Sequence, residues 1–111
     1  RIAICLSGGS SPKQLYRLLA SDAWRGRIPW DRVHWFIGDE RFVPESSDLS
    51  NMGVARRIFL DHRAPASHIY PVSTDAANPD ARADAYASGW GSANRSVWSR
   101  RRGWCCAVDR R

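Results

Sequence analysis

The chain opens with a short apolar run, a glycine turn and an amphipathic segment, and this order constrains the fold most. The run Ile2–Leu6 has the continuous apolar pattern of a strand that is covered on both faces in a parallel sheet. Ser11 and Gln14 form a capping-box pattern, so we predict a helix that Ser11 caps, that has Pro12 in its first turn and that ends between Ser21 and Gly26. A strand followed at once by a helix is the first half of a strand–helix–strand unit.

The same alternation of strands and helices continues along the chain. A second strand is predicted at Val33–Ile37, and it is followed by a helix that either Asp48 or Ser50 caps. A short third strand is predicted at 68–72, where Pro71 favours a strand end or an edge position. The sequence therefore predicts the α/β class, with a Rossmann-like open parallel sheet and crossover helices.

The last part of the chain differs in composition from the rest. Residues 1–88, which end in a further predicted helix at 78–86, hold 11 Lys and Arg against 10 Asp and Glu. Residues 89–111 hold six Arg against one Asp, with three Trp and no regular period. Most of the net charge of +6 therefore lies in the tail, and it does not indicate a nucleic-acid surface on the folded part. We predict one partial domain at 1–88 and a basic tail at 89–111 that is disordered or derived from a frameshift.

The turn after the first strand has the composition of an anion site. Ligands of open α/β sheets gather at the carboxyl ends of the strands. Glycines there let an anion approach the backbone, and the start of a helix offers free N–H donors. The predicted phosphate-binding residues in this turn are Ser7, Gly8, Gly9, Ser10, Ser11 and Lys13. A plain tight turn is the alternative, and neither the dinucleotide-binding glycine pattern nor the Walker pattern matches.

Three charged residues follow the second strand. Because the carboxyl ends of neighbouring parallel strands meet at one edge of a sheet, we expect Asp39, Glu40 and Arg41 beside the glycine turn. Arg41 would offer a planar guanidinium to a phosphate, and Asp39 would accept a sugar hydroxyl or take part in proton transfer. The alternative is that Arg41 pairs with one of its acidic neighbours or lies in solvent.

Three motifs in this order resemble the 6-phosphogluconolactonase family, which is itself similar to the glucosamine-6-phosphate isomerase/deaminase group. The motifs are LSGGSSPKQLYRLL at 6–19, W-x-x-V-H-W-F-I-G-D-E-R-F-V-P at 30–44 and SN-x-x-x-A at 50–55. The resemblance runs from Arg1 to about Tyr86. It favours the lactonase, because this chain has DER and SN where the deaminase group has DEY and SY.

The resemblance implies a sugar-phosphate substrate, with its phosphate near the glycine turn and Arg41 and its sugar near Asp39. It further implies hydrolysis of 6-phosphogluconolactone in the oxidative pentose phosphate pathway, without a metal or an organic cofactor. In such a reaction a water attacks the lactone carbonyl, a general base removes its proton, and hydrogen-bond donors stabilise the oxyanion.

Parts of the family pattern do not occur in this sequence. The second half of the family domain carries G-x-G-x-D-G-H-x-A-S, whose histidine is the expected base, and the chain has no such segment. The resemblance also implies a helix and a strand before LSGG, which we expect to be missing from this chain. We therefore expect an incomplete sheet, the N-terminal part of a larger domain, that holds much of the phosphate site and is inactive. The alternatives are an aminosugar-phosphate isomerase or deaminase and a non-catalytic sugar-phosphate-binding fragment.

Composition also bears on partners and location. No apolar run approaches the roughly 20 residues of a membrane helix and no signal segment precedes the first strand, so we expect a cytoplasmic protein without a membrane partner. The three cysteines, two of which are adjacent at Cys105 and Cys106, form neither a disulfide framework nor a zinc pattern. We expect a monomer that binds a small sugar phosphate and has no cofactor and no specific nucleic-acid partner.

Overall fold

The structure is a computed structural model that describes residues 2–74 and the backbone of residues 107–109. The strands are β1 (Ile2–Leu6), β2 (Val33–Ile37), β3 (Asp39–Arg41), β4 (Ile69–Tyr70) and β5 (Ala107–Asp109). The helices are α1 (Ser10–Ala20), α2 (Asp22–Arg25), α3 (Asn51–Ala55), a π-helical turn at Arg56–Leu60 and α4 (Asp61–Arg63), with 3-10 turns at Trp30–Arg32 and Ala66–His68. None of the described helices is long and apolar enough to cross a membrane.

Three of the described strands form a parallel sheet in the order β1-β2-β4. Leu6 at the end of β1 lies opposite Ile37 at the end of β2, and Trp35 lies opposite Ile69 of β4. The helices between these strands provide the crossovers that parallel pairing requires. The predicted α/β class, with an open parallel sheet and crossover helices, is confirmed.

The core lies between one face of this sheet and the helices. Val33, Trp35 and Ile37 alternate along β2 and are each 1% exposed. Tyr16 of α1 stacks on Phe59 with 5.0 Å between ring centroids, and Trp35 packs against the same Phe59 ring at 5.3 Å. These contacts hold α1 and the helical segment after β3 on one face of the sheet, so that the starts of both lie near the strand ends.

The first two strands lie where they are predicted, whereas other boundaries differ. The helix α1 begins at Ser10 with Gly9 as its N-cap, so the predicted cap by the Ser11 side chain is wrong. The cause is the conformation of Gly9, which lets the chain enter the helix two residues earlier. Ser50, one of the two predicted caps, is the N-cap of α3. The third strand is shorter than predicted, and it ends directly before Pro71, as the proline favours.

A second, two-stranded sheet pairs β3 with β5 in parallel. The tail at 89–111 is predicted to lack regular elements, and the strand at Ala107–Asp109 departs from this expectation. The predicted helix at 78–86 and the domain boundary after residue 88 lie outside the described residues, so both stay predictions.

Candidate functional site

A pocket lies between the glycine turn after β1, the end of β3 and the start of α3. Six of the eight predicted site residues line it, namely Ser7, Gly8, Gly9, Ser10, Lys13 and Arg41. The other lining residues are Tyr16, Asp48, Leu49, Asn51 and Val54. Ser11 and Asp39 do not contribute to the lining that the described residues form. The structure therefore brings the glycine turn and Arg41 together, as the parallel sheet predicts.

Gly9 determines the shape of the turn. Its φ is +103°, a region of backbone space that residues with a β-carbon rarely adopt. The N–H groups in the first turn of an α-helix have no partner within the helix, and within residues 2–74 no side chain caps α1. These N–H groups, the partial positive charge of the helix start and the nearby Lys13 form a donor set that suits an anion.

Tyr16 fixes the other side of the same turn. Its hydroxyl donates to the backbone oxygen of Ser7 at 2.7 Å, and the residue is only 4% exposed. Burial raises the pKa of Tyr16, and the negative charge of Asp39 raises it further, so the hydroxyl keeps its proton at neutral pH. The contact turns the Ser7 carbonyl toward the helix and holds the first residue of the turn in place.

The side-chain amide of Asn51 connects Asp39 to Arg41. Its Nδ2 donates to the backbone oxygen of Asp39 at 3.0 Å and to Asp39 Oδ2 at 3.3 Å, while its Oδ1 accepts from Arg41 Nη1 at 3.2 Å. The same Nη1 donates to the backbone oxygen of Leu49 at 3.3 Å. Among the described residues, the guanidinium thus binds these two oxygens rather than a neighbouring carboxylate, and the alternative pairing considered from the sequence is wrong.

Asp39 lies beside the pocket with an exposed side chain. The pKa of Cys5 on β1 is raised by burial and, to a smaller extent, by the negative charge of Asp39. Within residues 2–74, no three His, Cys, Asp or Glu side chains meet at a point where they could hold a metal ion.

Five of the lining residues are not identified as site residues by the sequence analysis, and two of these, Tyr16 and Asn51, hold other parts of the site by hydrogen bonds. Tyr16 and Asn51 both lie within the motifs at 6–19 and 50–55, yet from spacing alone they are ordinary helix positions. The signal that would have found Asn51 is the pair of Ser50 and Asn51 at the start of a helix, where Ser50 already provides the cap and leaves the amide free for other contacts.

A protein-family comparison covers most of the chain. The family model described as glucosamine-6-phosphate isomerases/6-phosphogluconolactonase matches residues 1–98. The chain belongs to this family. The match extends past residue 88, where the sequence predicts the end of the domain.

Curated relatives in the family carry the name 6-phosphogluconolactonase. The protein from Synechocystis sp. is 43% identical over 84 residues, which are 75% of this chain and 33% of the relative. The protein from Mycobacterium leprae is 47% identical over 74 residues, which are 65% of this chain and 29% of the relative. The chain thus spans about a third of the length of the curated relatives that it matches.

Solved structures in the family have the same fold. The crystal structure of 6-phosphogluconolactonase from Thermotoga maritima aligns with a TM-score of 0.73 and 32% identity, over 84% of this chain and 41% of that one. The 6-phosphogluconolactonase from Trypanosoma cruzi aligns with a TM-score of 0.74 and 29% identity, over 88% of this chain and 40% of that one. The described sheet therefore corresponds to part of a larger family domain.

Proposed function

We propose that this chain carries the phosphate-binding part of a 6-phosphogluconolactonase, and that the whole enzyme hydrolyses 6-phosphogluconolactone to 6-phosphogluconate. The observation that carries the proposal is that the glycine turn and Arg41, from two neighbouring strand ends, line one pocket. The names of the relatives support the lactonase reaction over the isomerase reaction that the family description also includes.

The charges around the pocket favour a phosphate. Lys13 and Arg41 supply two positive charges in addition to the N–H groups at the start of α1. Asp48 is the acidic residue of the described lining; its side chain is 99% exposed and pairs with Arg57 at 3.3 Å. The pocket volume of about 220 Å³ is below the roughly 300–1,000 Å³ of typical small-molecule sites, so it suits the phosphate end of a sugar phosphate.

The proposed role of Asp39 is toward the sugar rather than the phosphate. Asn51 donates to the Asp39 carboxylate at 3.3 Å, and this contact supports a role in which Asp39 accepts a sugar hydroxyl or takes part in proton transfer. The histidine segment that the family resemblance assigns to the general base does not occur in this sequence. We therefore propose that the 111-residue chain binds the phosphate and hydrolyses the lactone negligibly, because a positioned general base contributes about 10²- to 10⁴-fold in rate.

The proposed reaction also suggests a cellular setting. Its substrate and product belong to the oxidative pentose phosphate pathway, and we propose a monomeric cytoplasmic protein with no organic cofactor and no nucleic-acid partner. The predicted tail at 89–111 is tested separately, by translating the encoding nucleotide sequence in the other two forward frames. A G-x-G-x-D-G-H-x-A-S segment in one of those frames would identify the tail as a frameshift product.

The binding proposal is tested by titrating the ¹⁵N-labelled chain with 6-phosphogluconate and following the backbone amide signals by NMR. We expect saturable shifts at Gly8, Gly9 and Ser10, which line the pocket, and at Ser11 in the first turn of α1, because the N–H groups at the start of a helix favour an anion. Gluconate, which lacks the phosphate, is the matched ligand control and should leave these signals unchanged at the same concentration. Equal shifts with both ligands, or none with either, would contradict a phosphate site.

A lactonase assay on the same sample tests the second half of the proposal. With the 111-residue chain, 6-phosphogluconolactone should open at the spontaneous rate within error. The reason is that the sequence lacks the histidine segment that the family resemblance assigns to the general base. Hydrolysis well above the spontaneous rate, abolished by Asp39→Asn, would instead show that Asp39 serves as the base.

A further inference from the structure

Glu40 is a charged residue in the interior of the protein. It lies in the middle of β3 and is 3% exposed, whereas Asp39 before it is exposed and Arg41 after it is half-buried. Successive side chains of a strand point to opposite faces, so Glu40 points inward. A buried carboxylate is costly unless hydrogen bonds compensate for the lost water.

The carboxylate of Glu40 accepts four hydrogen bonds. Oε1 accepts from the backbone N–H groups of Arg41 at 2.8 Å and Asn51 at 2.7 Å. Oε2 accepts from the Ser50 hydroxyl at 3.1 Å and from the backbone N–H of Met52 at 2.9 Å. Within residues 2–74 its partners are thus N–H and O–H groups rather than a Lys or Arg side chain, and they come from the start of α3 as well as from β3.

Two of these four bonds come from residues that line the pocket, Arg41 and Asn51. By binding the N–H groups of both Arg41 and Asn51, one oxygen of Glu40 fixes the distance between the end of β3 and the start of α3. That distance decides whether the Asn51 amide can reach Arg41 Nη1, which it does at 3.2 Å. A negative charge at the start of a helix is also favourable, since the first N–H groups of α3 point toward it.

We propose that Glu40 is a positioning residue of the pocket, which holds Asn51 and the Arg41 guanidinium in place for a phosphate without touching the ligand itself. The inference rests on the proposed function for the identity of the ligand. Glu40, the second residue of the DER motif, would therefore position other residues, whereas Asp39 and Arg41 are proposed to contact the ligand.

The test compares two substitutions of the same chemistry. Glu40→Gln keeps the shape of the side chain but places an NH₂ group where one of the two oxygens was, so that at least one backbone N–H of α3 or β3 faces another donor. Glu45→Gln makes the same change in the loop that follows β3, where the side chain is 41% exposed and pairs with Arg56 at 3.0 Å. Both chains are compared at a temperature where circular dichroism shows each of them to be folded.

We expect Glu40→Gln to weaken 6-phosphogluconate binding about tenfold, the size expected when one charged hydrogen bond is lost, and Glu45→Gln to leave it unchanged. In the absence of ligand, the side-chain NH₂ signals of Asn51 should shift and broaden in Glu40→Gln alone. A role in stability only would lower the unfolding midpoint while leaving both the affinity of the folded protein and these signals unchanged, and that result would overturn the inference.

The Asn51 side-chain NMR signals, measured without ligand, also test the role of Glu40 independently of the proposed function. If the unsubstituted chain fails to bind 6-phosphogluconate, the proposed function is wrong, and the Asn51 side-chain signals then decide on Glu40 alone. Unperturbed Asn51 signals in Glu40→Gln would contradict positioning by Glu40 whatever the ligand result.

Discussion

The side-chain amide of Asn51 occupies the space that a β-carbon on Gly8 would need. This contact joins the turn after β1 to the start of α3, two segments that both line the pocket. Gly8 is required there by the close approach of Asn51, whereas Gly9 is required by its own backbone angle.

The substitution Gly8→Ala should therefore lower the free energy of unfolding by about 1–3 kcal/mol, the usual cost of overpacking. The added methyl group must displace the Asn51 amide, and the bond from Arg41 to that amide should be lost with it. Urea unfolding measures the first effect, and the Asn51 side-chain NMR signals measure the second.

Two variants control this prediction. Gly26→Ala should change stability by less than about 0.5 kcal/mol, because a β-carbon there meets nothing within 4 Å. In an Asn51→Ala background the cost of Gly8→Ala should fall, since the colliding group has been removed. An unchanged cost in that background would show that the collision is not the cause.

The substitution Gly9→Ala should destabilise for a different reason. An alanine must adopt φ near +103°, which costs about 1–3 kcal/mol, although its β-carbon would meet no atom within 4 Å. This cost should be the same with and without Asn51→Ala, because no contact is involved. Urea unfolding of the four chains gives the comparison, and relief by Asn51→Ala would contradict a purely conformational cost.

The substitution Arg41→Lys should weaken 6-phosphogluconate binding about tenfold while the fold is retained. A lysine keeps the charge but loses the planar guanidinium that Asn51 and the Leu49 carbonyl orient. The control is Arg57→Lys, whose guanidinium also holds loop carbonyls but lies outside the pocket lining. Calorimetric titration gives both affinities, and equal losses would argue against a direct role for Arg41.

The substitution Tyr16→Phe should cost about 1 kcal/mol at pH 8, because the bond to the Ser7 carbonyl is lost. The pKa of Tyr16 is raised above its ordinary value, chiefly by burial, so the folded state favours the neutral phenol. This contribution is present below about pH 10, the ordinary value, and is lost as the pH rises through the raised pKa.

Urea unfolding of both chains between pH 8 and pH 11 checks this pH dependence. The difference in stability between the unsubstituted chain and Tyr16→Phe should shrink above about pH 10. A difference that stays constant over the whole range would show that Tyr16 ionises equally in the folded and unfolded chains.

The sequence predicts β1, β2 and a third strand near β4, as well as the meeting of the glycine turn with Arg41, because these depend on local pattern and on the geometry of parallel sheets. The apolar runs of β1 and β2 end at turn residues, which fixes their bounds. The start of α1 is missed because its N-cap is Gly9, whose backbone angle favours glycine. The capping-box pattern instead depends on side chains that can bind the first N–H groups of a helix.

The contacts of Glu40 and Asn51 are not predictable from the sequence for a physical reason. A carboxylate between Asp39 and Arg41 has the pattern of a surface charge, and its burial depends on N–H groups that the start of α3 brings to it. The contact between Asn51 and Gly8 likewise exists only once the sheet has assembled. The pairing of β3 with β5 has no local signal either, because β5 lies in a segment without a regular period.

The described residues that line the pocket all come from one continuous stretch, from Ser7 to Val54. The phosphate-binding contacts that we propose are therefore encoded in one compact piece of chain, which can be inherited as a unit. Groups that would attack or protonate a sugar ring can then be exchanged elsewhere without loss of those contacts. Such a division of labour fits a family whose description joins isomerases with lactonases.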